Sequence, residues 1–137
     1  MRLLAQVAEA LAGSAGATRV VTDAGWMSYD RQIGTTGVAV SPELYVAFGI
    51  SGAAQHVSGL GVPEYVVSVN TDPSCPMTLM ADLCIVADAP AVLAELAERL
   101  GVTGGTLGSA CAGNLVDGGE PMPGRRSYQA GMNDRSP

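Results

Sequence analysis

Leu44 to Ile50 reads LYVAFGI, seven residues in succession without a charged side chain. A strand with one face in water alternates apolar and polar residues. A continuous apolar run of this length instead fits a strand buried on both faces, as in a parallel sheet covered by helices. Its surroundings have the same character. Tyr65 to Val69 (YVVSV) and Leu83 to Ala87 (LCIVA) read as further strands. Thr18 to Thr22 (TRVVT) reads as a short one closed by Asp23-Ala24-Gly25. Helical spacing lies between them. Leu4, Val7, Ala8 and Leu11 share one face of a helix over 2–12 that ends at Gly13. Gln6 and Glu9 interrupt the apolar stretch that an export signal would need there. Ser51-Gly52 leads into AAQHVSGL, a short helix with Ser51 as its N-cap. Pro90 suits the first turn of a helix carrying Val92, Leu93, Leu96 and Leu100 as its apolar stripe. The pattern is α/β, a parallel sheet flanked by helices. Trp26 to Gly37 has no clear period, and a loop of that length in a compact domain is usually functional or disordered.

With 137 residues there is room for one domain. Residues 1–100 carry the whole net charge of −6, and residues 101–137 balance to zero while holding nine of the 18 glycines. That asymmetry predicts a domain over 1–100 and a Gly-rich, disordered tail over 101–137, whose removal at Gly101 should alter stability and ligand binding little. All seven basic residues are arginine, so a P-loop lysine and Schiff-base chemistry are both excluded. One histidine cannot form a multi-histidine metal site. Cys75, Cys84 and Cys111 contain no C-x-x-C spacing, which argues against a disulfide framework and for a reduced, cytoplasmic setting, with Cys84 a small core residue. The acidic balance argues against nucleic acid as a partner, and no apolar run is long enough for stable membrane insertion.

Ligands of parallel sheets sit beyond the carboxyl ends of the strands, where Asp23, Ser51, Asn70 and Asp88 fall. Ser51 to His56 (SGAAQH) is the most informative segment: small residues open the first N–H groups of a helix to an anion or a polarised carbonyl, and Gln55 and His56 add side-chain donors. An ordinary strand–helix junction has the same spacing. Arg19 is either a cation facing the cleft or a solvated strand end. Asn70 can simply close its turn, and Asp88 can simply cap the helix at Pro90. Gly59-Leu60-Gly61 lacks the third glycine of a dinucleotide fingerprint.

Taken in order, GATRVVTDAGW (16–26), DRQIGTTG (30–37), SPELYVAFGISGAAQH (41–56), VNTDP (69–73) and ADLCIVAD (81–88) resemble the C-terminal, FAD-binding domain of the electron transfer flavoprotein alpha subunit. The resemblance implies a Rossmann-like parallel sheet that holds FAD and carries electrons without converting a small substrate. It places Thr18 and Arg19 against the flavin, and Ile33, Gly34, Thr35 and Thr36 along the ring and ribityl chain. Ser51, Gly52, Ala53, Ala54, Gln55 and His56 match the cofactor-binding helix start, with His56 near the C2 carbonyl. Asn70, Asp88 and Ala89 lie toward the adenosine end. The implied partners are a beta subunit or a separately encoded N-terminal half, with donors of the acyl-CoA dehydrogenase type, as in fatty acid oxidation. Thr35 replaces a common Gln and Thr71 a common Lys. The Gly-Gly-Arg-Gly strand of the family is not in the sequence, which implies weak FAD binding by the chain alone. The alternative is a truncated, cofactor-free remnant that binds a partner or nothing.

Overall fold

A computed structural model of the chain describes residues 1–102 and 128–132. Five strands, β1 (Ser14–Ala17), β2 (Leu44–Phe48), β3 (Tyr65–Asn70), β4 (Leu83–Val86) and β5 (Tyr128–Met132), form one sheet in the order β1-β5-β2-β3-β4. Every pairing is parallel. Helices α1 (Arg2–Ala10), α2 (Arg19–Asp23), α3 (Ala54–Val57), α4 (Pro76–Met80) and α5 (Ala89–Arg99) connect and cover the strands.

β2 shows why the apolar run was needed. Successive side chains point to opposite faces, and both faces are covered. Phe48 joins Leu4, Val7 and Ala8 of α1, Val69 of β3, and Ala89, Leu93 and Ala97 of α5 in one core. Tyr45 and Ala47 join Ile33, Ile50, Leu60, Val66, Cys75 and Met77 in a second core on the opposite face. Tyr45, Ala47 and Phe48 are at most 1% exposed. Burying each large apolar side chain contributes about 1.5–3 kcal/mol, so this strand anchors both layers. α5 begins as the sequence suggests: Pro90 lies in its first turn, and Asp88 accepts the Ala91 N–H at 3.1 Å.

Three local expectations are corrected. TRVVT is not a strand: β1 is the preceding Ser14–Ala17, and Arg19–Asp23 is a helical turn that buries Val21 and Thr22. Four small residues fit the crowded strand position, and inward packing of Val21 overrides the β-propensity of the Val-Val-Thr run. Ser51 is not an N-cap, because the turn at Ser51-Gly52 delays α3 until after Ala53, and no side chain caps it. Cys84 is exposed rather than in the core. β4 is the sheet edge, and Leu83, Cys84 and Val86 are all exposed.

β5 lies within the Gly-rich segment read as a tail, and it occupies the slot between β1 and β2, pairing Ala130 with Ala15 on one side and Val46 on the other. Residues 103–127 and 133–137 lie outside the described residues. The indifference to truncation expected from the sequence is therefore replaced by the opposite expectation, argued below.

Candidate functional site

Beyond the carboxyl ends of β1 and β2 is a cleft of about 480 Å³. Its lining comes from three segments: Thr18 to Val20 at the start of α2, Gln32 to Thr36 in the following loop, and Ile50 to Ala53 with Gln55 and His56 after β2. Of the residues singled out from the sequence, Thr18, Arg19, Ile33, Gly34, Thr35, Thr36, Ser51, Gly52, Ala53, Gln55 and His56 all meet there. Ala54 is in α3 but outside the lining. Asn70, Asp88 and Ala89 are also outside it, with evident structural work. Asn70 is buried, donates from Nδ2 to the Ile50 carbonyl at 3.1 Å and accepts the Asp72 N–H at 3.0 Å. It thereby fixes the turn that leads into Ser51. Asp88 is the cap of α5, and Ala89 lies in the first core.

Gly52 makes the floor of this cleft possible. Its φ is +83°, and a Cβ there would lie 2.5 Å from the Met77 backbone nitrogen. The same turn lets the Met77 N–H donate to the Ser51 carbonyl at 3.0 Å, which ties α4 to the floor. α3 is a single turn, so it offers little of the helix-end potential expected from SGAAQH.

The loop wall is cross-linked. The Thr35 N–H donates to the Gln55 carbonyl at 2.8 Å, and the Thr35 and Ser58 hydroxyls lie 2.6 Å apart. Gln32, Val20 and Ile50 were missed from the sequence. Gln32 is buried; it accepts from the Thr22 hydroxyl at 2.6 Å and donates from Nε2 to Thr36 Oγ1 at 2.8 Å. Thr36 therefore receives a hydrogen bond and keeps its own O–H for another acceptor. The proximity of Gln32 to the Ile33–Thr36 segment was the available signal. Arg19 stands at the rim, where its Nε lies 3.2 Å from Asp23 Oδ2, and more than half of its side chain is in solvent.

His56 is 5% exposed. Its Nε2 lies 2.7 Å from the buried Tyr45 hydroxyl, and its Nδ1 is buried without a hydrogen-bond partner among the described residues. Burial holds the imidazole pKa below its ordinary value, partly opposed by the Ile33 backbone. A histidine kept neutral in the fold takes up a proton first in the unfolded chain. Its contribution to stability is thus intact above about pH 6.5 and lost as pH falls below that value. The melting temperature is expected to decline more steeply between about pH 7.5 and 5.5 in the native chain than in His56→Gln. Parallel slopes would show that His56 does not titrate on unfolding.

Fold and cleft together define a parallel α/β domain with a pocket of the size that holds a small organic ligand. Over residues 1–61, which include every residue of the cleft lining, the sequence matches the family model described as the electron transfer flavoprotein FAD-binding domain. The chain resembles the electron transfer flavoprotein alpha subunit. It is 44% identical over 99 residues to the mitochondrial alpha subunit of Arabidopsis thaliana, covering 72% of this chain and 27% of that protein. It is 45% identical over 98 residues to protein FixB of Rhizobium meliloti (strain 1021), covering 72% and 28%. It is 38% identical over 100 residues to the alpha subunit of Syntrophomonas wolfei, covering 73% and 32%. The match thus spans less than a third of the length of each of these relatives. Among the described residues, no helix is long and apolar enough to cross a membrane, and no cluster of His, Cys, Asp and Glu is arranged to hold a metal.

Proposed function

We propose that the chain is an FAD-binding electron-transfer module, working with an electron transfer flavoprotein beta subunit or a separately encoded N-terminal half. In this reading it passes electrons in the cytoplasm between flavin dehydrogenases, of the acyl-CoA dehydrogenase type, and a downstream acceptor. The observation that carries the proposal is the convergence of three segments, far apart in sequence, on one cleft whose polar groups suit a flavin. Apolar Ile33 and Ile50 line it together with the Thr36 hydroxyl and, at the rim, the Arg19 guanidinium. The buried Nδ1 of His56, without a partner among the described residues, fits the same ligand, because a protein rarely leaves such an atom without a use.

FAD, when bound, supplies reversible electron uptake, and the protein sets where it sits and which charge state is favoured. Arg19 contributes positive charge at the mouth. Its ion pair with Asp23 is solvent-exposed and worth little in itself, so the guanidinium can turn to a ligand at small cost. The Gln32–Thr36 bond holds the Thr36 hydroxyl in place. Ile33 and Ile50 exclude water, which strengthens each polar contact inside.

The test is a titration of the purified chain with FAD, followed by quenching of flavin fluorescence and by the visible spectrum. Saturable binding near one flavin per chain is expected, weakened about tenfold in Arg19→Ala, equivalent to one hydrogen bond to a charged group. A folded chain that stays colourless at saturating FAD, alone and with a beta subunit, would leave the cofactor-free reading standing instead.

A further inference from the structure

Tyr45 takes no part in the cleft lining, yet among the described residues it is the largest wholly buried side chain and its hydroxyl meets a residue of that lining. A buried phenol has to donate its proton somewhere, because an unsatisfied donor is costly. Its described partner is His56 Nε2, at 2.7 Å with the two rings tilted 43°. Burial also holds the Tyr45 phenol well above its ordinary pKa, so it remains a donor. A neutral imidazole has one donor and one acceptor nitrogen. If Nε2 accepts from Tyr45, the ring proton belongs to Nδ1, a buried atom without a hydrogen-bond partner among the described residues, on a ring that the Ile33 backbone also approaches.

We propose that Tyr45 is a positioning residue: by donating to Nε2 it fixes His56 as the Nδ1–H tautomer, so that a neutral histidine offers a hydrogen-bond donor to an electron-rich acceptor in the cleft. The acceptor is of the carbonyl or deprotonated ring-nitrogen class. Its identification with a flavin rests on the proposed function, whereas the tautomer does not. The opposite tautomer would give the cleft a bare nitrogen lone pair and would repel such an acceptor. The choice between donor and acceptor at this wall is thus made by a side chain on the sheet, eleven residues earlier in the chain and beneath the pocket surface.

Nitrogen-15 NMR of the histidine ring, in the full chain without ligand, reads the tautomer directly. The native chain is expected to show protonated Nδ1 and unprotonated Nε2. Tyr45→Phe is expected to lose that bias, with a mixed or reversed tautomer and FAD affinity reduced about threefold to tenfold, equivalent to one hydrogen bond. A native chain with protonated Nε2 overturns the proposal on its own, so it stays testable even if Tyr45→Phe fails to fold. An unchanged tautomer in Tyr45→Phe also overturns it, as does undiminished FAD affinity in a variant whose tautomer has shifted. Should the native chain bind no flavin while showing the Nδ1–H form, the flavin reading fails and the tautomer assignment stands.

Discussion

Replacing Ala130 by proline is expected to lower the melting temperature by about 10 °C or more. Ala130 is the middle residue of β5, paired with Ala15 of β1 on one side and Val46 of β2 on the other. Proline brings no N–H to a ladder and is tolerated in sheets at edges and bulges, not between two neighbours. Its cost in regular structure is about 3 kcal/mol or more. At roughly 4 °C per kcal/mol for a domain of this size, the shift is easily measured. The position matters as much as the residue. β1 and β2 are not hydrogen-bonded to each other; β5 joins them, and β1 leads directly into Thr18 and the start of α2, which line the cleft. Removal of residues 103–137 should act in the same direction, with the added loss of both rows of backbone bonds. A melting temperature unchanged by Ala130→Pro would mean that β5 adds nothing to the stable sheet, and the sequence-based expectation for truncation would return.

What could be read from the residues was what local pattern controls. LYVAF announces a strand covered on both faces because alternate side chains must all be apolar there, and the two cores on either side of Tyr45 and Phe48 bear this out. The Pro90 stripe and the Asp88 cap are equally local. Features set by distant neighbours were not legible. SAGA at Ser14–Ala17 carries no β-branched residue, and it becomes a strand by pairing with β5, where a Cβ at Gly16 would lie 2.6 Å from the Ile33 side chain. YQAGM has no alternating pattern and pairs with strands more than 80 residues away. Whether Cys84 is buried depends on β4 being an edge, which is a property of topology rather than of LCIVA itself. Most of the cleft was legible because its residues cluster in short motifs. The Gln32 bridge and the Tyr45 contact were not, since each joins side chains whose approach only the fold creates.

Gly34→Ala is expected to weaken FAD binding tenfold or more and to destabilise the chain by about 2–4 kcal/mol. Gly34 sits at φ +142°, which an L side chain rarely adopts, and a Cβ there would lie 2.6 Å from the Gln55 carbonyl oxygen. Backbone has no rotamer by which to retreat, so the loop and the segment before α3 must separate. The first casualty is the 2.8 Å bond from the Thr35 N–H to that same carbonyl. Gly59 also packs closely on the loop, since a Cβ added at Gly59 would come within 2.5 Å of Gly34 Cα. Strain of about 1–3 kcal/mol at the backbone adds to about 1 kcal/mol for the lost hydrogen bond. The two segments forced apart both line the cleft, and Thr36 and His56 move with them. Gly101→Ala is the matched control: its φ is +68°, and a Cβ there meets nothing within 4 Å. That substitution should cost about 1 kcal/mol of stability, as for an ordinary left-handed position, and leave FAD affinity untouched. Calorimetric melting and FAD titration of both variants separate the two effects. Equal losses of stability in the two, with binding retained in Gly34→Ala, would show that close approach of the walls at Gly34 is not what shapes the pocket.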